Sequence, residues 1–242
     1  PTVANIHQIR GNVAHEALEH FFGININHIH EDNYEQELKK AMQELLIFHW
    51  RAYKEKFDAL KLSEDKIIHY FEETLHMLIA WVDLFCKKIK ASKKPFKDAF
   101  LYLTPIAEQH FISQKHGVQG YIDAIEIQDG HIRIMDYKTS SKNELTDDYL
   151  LQLSIYVLLY HEKYQKFPDE VGLYLLKHGE KTIKVDESLM KKAVLECEII
   201  HMNTQSTEIA DYPKNVGPLC KWSTGQCDFY GICFNQKRVN EF

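Results

Sequence analysis

Residues 117–138, GVQGYIDAIEIQDGHIRIMDYK, are two apolar, β-rich runs on either side of Asp129-Gly130. Gly tolerates positive φ and Asp favours tight turns, so this dipeptide between such runs predicts a β-hairpin. Asp123 lies on the first run and Asp136 on the second, with Lys138 two residues further on. Side chains alternate across a strand, so Asp136 and Lys138 share a face, and pairing the runs can bring Asp123 towards it. Two carboxylates and an amine are costly on an otherwise apolar hairpin. A metal ion with a water to activate accounts for them.

The chain around this hairpin has 242 residues, 45% of them hydrophobic and 12% aromatic, enough for a substantial core. That length fits one large domain or a core domain with an elaboration. No apolar run approaches the ~18 residues of a membrane span. The N-terminus lacks the basic and apolar regions of a secretory signal. The chain opens at Pro1, as after removal of an initiator Met or excision from something longer. A net charge of −6 argues against a protein that simply coats nucleic acid. It leaves room for an enzyme whose metal site supplies acids and whose DNA contacts are local. Five cysteines, an odd number without a secretion signal, point to a reducing compartment, and a cytoplasmic location is expected.

Along the chain, residues 10–22 predict a helix with Asn12 as N-cap, and residues 23–33 a polar loop. Residues 35–53 and 63–90 carry apolar side chains at helical spacing. Residues 87–97, KKIKASKKPFK, hold six lysines, and Pro95 stops any helix there. Lys87, Lys88, Lys90, Lys93, Lys94 and Lys97 are either a solvated helix end complementing the dipole or a phosphate-contacting patch. Phe100–Ile106 reads as a strand continuing into residues 108–111. The hairpin follows, then a helix over 147–164 capped by Thr146 or Asp147, strands over 170–177 and 181–185, and a helix over 187–205. The tail after Asp211 is rich in Pro, Gly and Cys, with little regular structure of its own. One mixed sheet with helices on its faces is the economical architecture.

Four motifs occur in order: Gly-x-x-x-His (Gly11 to His15), Gly-Tyr-Ile-Asp (Gly120 to Asp123), Asp-Tyr-Lys-Thr (Asp136 to Thr139) and Gln-Leu-x-x-Tyr (Gln152 to Tyr156). Together they resemble the PD-(D/E)XK nuclease superfamily, in its RecB-like branch with the CRISPR-associated and phage exonucleases. The resemblance covers residues 11 to about 235. It implies a restriction-endonuclease-like α/β core, a mixed sheet flanked by helices, with a helical N-terminal part. A single nuclease domain over 1–242 is expected: a helical insertion or wall at 35–95, the catalytic core at 98–205 and a Cys-containing tail at 211–242.

The resemblance also gives roles. Asp123 and Asp136 hold Mg²⁺ or Mn²⁺, hard ions that suit oxygen ligands, with the Tyr137 carbonyl as a further ligand. Lys138 orients or deprotonates the attacking water, or stabilises the transition state. His15 is an extra ligand from the N-terminal helix. Glu108 ligates directly or through water, or is an ordinary acid at a strand end. Gln152 and Tyr156, at i,i+4 on one helix face, position catalytic groups or DNA; Tyr156 is otherwise a core residue with its hydroxyl bonded. The expected activity is a deoxyribonuclease, an exonuclease preferring single-stranded ends, in recombination, repair or phage DNA processing. Alternatives are an endonuclease at flaps or junctions and a DNA-binding module without catalysis. No membrane partner is expected.

Cys220, Cys227 and Cys233 are spaced C-x6-C-x5-C. Iron–sulfur members of the RecB-like branch carry a C-terminal triplet with a shorter first interval and a fourth Cys before the His motif. Here the C-x5-C part matches, and no Cys precedes His15. A [4Fe–4S] cluster, a zinc ion and thiols without metal all remain open. Cys86, Cys197, a histidine or an upstream residue are the candidate fourth ligands. Trp222, Phe229 and Tyr230 would shield a cluster or pack the tail.

Overall fold

The computed structural model describes residues 5–222 and 225–234, apart from the side chains of Ile209, Trp222 and Gly225. Five helices come first: α1 (Ile6–Phe21), α2 (Tyr34–Ala52), α3 (Lys54–Ala59), α4 (Glu64–Ser92) and α5 (Phe96–Leu103). Strands β1 (Ile106–Ser113), β2 (Val118–Gln128) and β3 (His131–Lys138) follow, then α6 (Asp147–Tyr164), β4 (Glu170–Leu175), β5 (Gly179–Lys184) and α7 (Glu187–Asn203). The five strands form one sheet in sequence order. All neighbours are antiparallel except β3 and β4, which run parallel with α6 as their crossover.

The predicted hairpin forms. Asp129 and Gly130 take φ of 52° and 85°, closing β2 onto β3 with Gln128 opposite His131. Positive φ at both central residues matches the right-handed twist of the flanking strands.

Two expectations give way to packing. The first helix begins at Ile6, and its cap is Asn5, whose side chain accepts the Gln8 N–H at 3.0 Å. Asn12 lies in mid-helix. Gly11-Asn12 are weak helix formers, but Ile6 and Ile9 are buried one to two turns earlier and carry the helix across them. The segment expected as strand Phe100–Ile106 is mostly helix α5. Phe96, Ala99, Phe100 and Leu103 are buried at i, i+3, i+4 and i+7, a helical stripe that begins before the apolar run itself. The strand starts only at Ile106.

The remaining boundaries lie close to expectation. Thr146 caps α6 by accepting the Tyr149 N–H at 3.3 Å. A 3-10 turn at Ile209–Asp211 leads into the tail, whose described residues contain a second at Pro218–Cys220, a pair of two-residue strands and the single turn Tyr230–Cys233. Residues 223–224 and 235–242 of the expected tail, and the Trp222 side chain, lie outside the described residues.

Helices cover both faces of the sheet. On one, α1, α2, α4 and α5 share a core with Ala124, Met135, Tyr137 and Tyr174; Phe21, Phe85 and Phe100 are at its centre. On the other, α6 and Leu189 of α7 pack against Phe111, Ile134 and Leu173. Among the described residues, no helix is long and apolar enough to cross a membrane.

Candidate active site

The acids meet at one row of the sheet. β1 pairs Ala107 with Ala124 and Gln109 with Ile122, which sets Glu108 opposite Asp123. β2 pairs Ala124 with Met135, so the next rung sets Asp123 opposite Asp136. The β2–β3 ladder ends at Ala124–Met135, and the β1–β2 ladder skips this row before resuming at Gln109–Ile122. Glu108 has φ of 48°, a left-handed conformation costly for a residue with a Cβ. Ile122 and Ile125 both pack in the α6-side core, so the alternation of β2 breaks across Asp123-Ala124. The break leaves Asp123 where groups from both helical layers reach it.

From α1, His15 Nδ1 comes within 3.2 Å of Asp123 Oδ2. The same oxygen accepts the Tyr137 N–H at 2.8 Å. The His15 ring also stands edge-on to the Tyr137 ring, with centroids 6.1 Å apart. From α6, the Gln152 side-chain amide and the Tyr156 hydroxyl each donate to Asp136 Oδ1 at 3.1 Å, and Gln152 also donates to Tyr156 at 2.9 Å. Lys138 Nζ lies 2.6 Å from Asp136 Oδ2. That oxygen is nonetheless buried without an aligned hydrogen bond. The contact is a charge pair whose angles are poor for a hydrogen bond, which needs direction as well as proximity.

Electrostatics mark the row as strained. Asp123 is buried, and burial followed by the Asp136 charge pushes its carboxyl up to about 7. Burial, then the Asp123 charge, pushes Glu108 up to about 6. Burial lowers the His15 imidazole, which favours the neutral, ligating form. Ligand atoms of His15, Glu108 and Asp123 all lie within 4.8 Å of one another. Gathered carboxylates and a neutral imidazole, beside an Asp136 oxygen that meets only the Lys138 ammonium, fit a hard divalent cation.

Beside the row, His15, Tyr137 and Lys138 border a cleft of about 660 Å³ between α1, α4 and the ends of β3 and β4, which Arg10, Tyr70, Glu73, Tyr149 and Lys177 also line. Arg10, Glu73 and Lys177 escape a sequence reading. The only mark on Arg10 is its place beside Gly11, and nothing in the local pattern joins the other two.

The lysine run is divided. Lys88 hydrogen-bonds the Tyr174 hydroxyl and pairs with Glu180 at 2.7 Å. Lys90 pairs with Glu35 at 2.5 Å, and Lys97 donates to the Asn27 carbonyl at 2.9 Å. Lys94 lies over the Tyr102 ring, and Lys93 ends α4 in the left-handed conformation. Lys87 borders a depression that also includes Lys177.

Among the described residues, Cys220, Cys227 and Cys233 do not gather within one coordination sphere. Cys86 is buried in the N-terminal core, which pushes its thiol up to about 11, and Cys197 is buried beside Leu158 and Ala193.

Comparison with known proteins agrees with this geometry. The sequence profile of the PD-(D/E)XK nuclease superfamily matches residues 2–234. A stretch of 75 residues is 37% identical to the Gene 69 protein of Mycobacterium phage D29, covering 30% of this chain and 26% of that protein. The chain thus matches about a quarter of that relative's length. A crystal structure from Eubacterium rectale, provisionally named an exonuclease, aligns over 84% of this chain and 83% of its own at 10% identity and a TM-score of 0.38, too loose a likeness to carry an argument.

Proposed function

The chain belongs to the PD-(D/E)XK nuclease superfamily, and from that premise we propose a Mg²⁺- or Mn²⁺-dependent deoxyribonuclease of the RecB-like branch that acts as an exonuclease on single-stranded DNA ends. The observation that carries this reading is the row Glu108–Asp123–Asp136 with Lys138 against Asp136 Oδ2. Asp123, Asp136, Glu108, His15 and the Tyr137 carbonyl would hold the cation. Bound there, a divalent ion offsets charge growing on the phosphate and lowers the pKa of a water.

The chain's own groups prepare the rest. Gln152 and Tyr156 occupy Asp136 Oδ1, which fixes the carboxylate and leaves Oδ2 for other work. Lys138 holds an ammonium beside that oxygen on the cleft wall, placed to orient a water or to donate to a non-bridging phosphate oxygen. His69, Tyr70 and Glu73 of α4 border the cleft, which supports reading residues 35–95 as a wall of one nuclease domain.

An end-labelled digest of linear single- and double-stranded DNA with Mg²⁺ or Mn²⁺ tests the proposal, with circular single strands as control. We expect linear single strands to be degraded and circles spared. Cut circles would identify an endonuclease, and wild-type cleavage retained in both Asp136→Ala and Lys138→Ala would sink the site. Work in recombination, repair or phage DNA processing is consistent with such an activity. For the tail we propose that Cys220, Cys227 and Cys233 hold an iron–sulfur cluster or zinc only once they are drawn together and joined by a fourth ligand, since they do not share a coordination sphere here; iron and zinc analysis of anaerobically purified protein tests it.

A further inference from the structure

Arg10 is 4% exposed, yet it stands on the wall of the cleft. Its guanidinium donates to Glu73 and, at 3.4 Å, to the Thr139 carbonyl, while its buried Nε has no partner. Lys177 reaches the same carboxylate at 2.5 Å. Burying a guanidinium is expensive unless its charge is used or matched. Here two cations share one acid, so this wall keeps an excess positive charge. The lysine run differs, since Lys88 meets both Glu126 and Glu180. Aromatic rings stand among the cations: Tyr70 lies under Arg10 at 5.4 Å and edge-on to His7, and Tyr149 lies under Lys138 at 5.5 Å.

We propose that this cleft is a subsite for a single-stranded segment, in which Arg10 and Lys177 bind one backbone phosphate beside the acid row and Tyr70 takes the adjoining base. The assignment rests on the nuclease reading above and adds the residues that grip the strand. Guanidinium and ammonium groups suit phosphate oxygens. Cations interleaved with aromatic faces are how single strands are held without sequence preference. The cleft's volume lies within the ~300–1,000 Å³ range of small-molecule sites, room for a nucleotide or two and too little for a duplex. Glu73 keeps both cations in place when no phosphate is present.

The test is fluorescence anisotropy of a labelled thymidine oligonucleotide of about ten residues binding to the full chain in EDTA, titrated with salt. Arg10 is too buried to be a safe variant, so Lys177 and Tyr70 carry the experiment. Lys177→Ala should weaken binding about five-fold or more and reduce the salt slope by roughly 0.7, the value for one lost single-strand phosphate contact. Lys177→Arg should restore both. Tyr70→Leu should weaken binding about five-fold with the slope unchanged. Wild-type affinity and slope in both Lys177→Ala and Tyr70→Leu, with unchanged melting, would overturn the subsite. That outcome leaves the nuclease reading to the cleavage assay. A wild type that binds through these residues but cuts no DNA would overturn the catalytic reading and uphold the subsite.

Discussion

Replacing Asp123 by Asn should abolish cleavage and yet stabilise the metal-free protein at neutral pH. Burial and the Asp136 charge raise the Asp123 carboxyl from its ordinary 3.8 to about 7. At ~1.4 kcal/mol per pH unit, holding it ionised costs the folded state at most ~4 kcal/mol, and relaxation around the site brings the expected cost to ~2 kcal/mol. The folded state binds the proton more tightly than the unfolded chain. The favourable contribution is therefore present at low pH and is lost as pH rises from about 4 to about 7. Glu108, raised from 4.5 to about 6, tilts the profile the same way. Asn keeps an oxygen to accept the Tyr137 N–H, now made to Asp123 Oδ2 at 2.8 Å, and removes the charge facing Asp136. Melting in EDTA from about pH 5 to about pH 8 should show the wild type losing stability and the variant losing less. At the upper pH the variant should melt ~4–8 °C above wild type. Added Mn²⁺ should raise the wild type by mass action and leave the variant nearly unmoved. A variant less stable than wild type in EDTA at about pH 8, or a flat wild-type profile, would refute the argument.

Three further outcomes are expected. Lys138→Met should lower cleavage at least ~10²-fold while keeping the Mn²⁺-induced rise in melting temperature, since Lys138 is not needed to hold the ion. Tyr156→Phe removes one of two donors to Asp136 Oδ1; denaturant unfolding should show a loss of ~1 kcal/mol, and cleavage should persist at reduced rate because Gln152 remains. Gly172→Ala would place a Cβ 2.3 Å from the Lys181 carbonyl between β4 and β5; thermal melting should show a loss of ~2 kcal/mol or more.

Much of the sheet and its acid-bearing hairpin could be read from local rules, because each depended on a signal within a few residues. Asp129-Gly130 sets the turn, Thr146 the start of α6, and i,i+4 spacing puts Gln152 and Tyr156 on one face. What escaped depends on distant contacts. Asn5 outcompetes Asn12 as a cap because Ile6 and Ile9 find a core that only the folded helices supply. Phe100–Leu103 looks like a strand because an apolar run has no period until Phe96 is seen to be buried with it. Arg10, Glu73 and Lys177 come from α1, α4 and the end of β4, and no linear pattern links them.

Glu108 is the sharper case. In sequence it is one acid at a strand end, and the common explanation for such a residue is solvent. In the fold it occupies the rung opposite Asp123, with φ of 48°. A left-handed non-glycine costs ~1–2 kcal/mol, and the chain accepts that cost where it adds a third carboxylate to a pair already in conflict. Neither the backbone strain nor the added repulsion favours the metal-free fold. Both become intelligible if the row is completed by a cation, and the same conflict underlies the stability expected when Asp123 loses its charge.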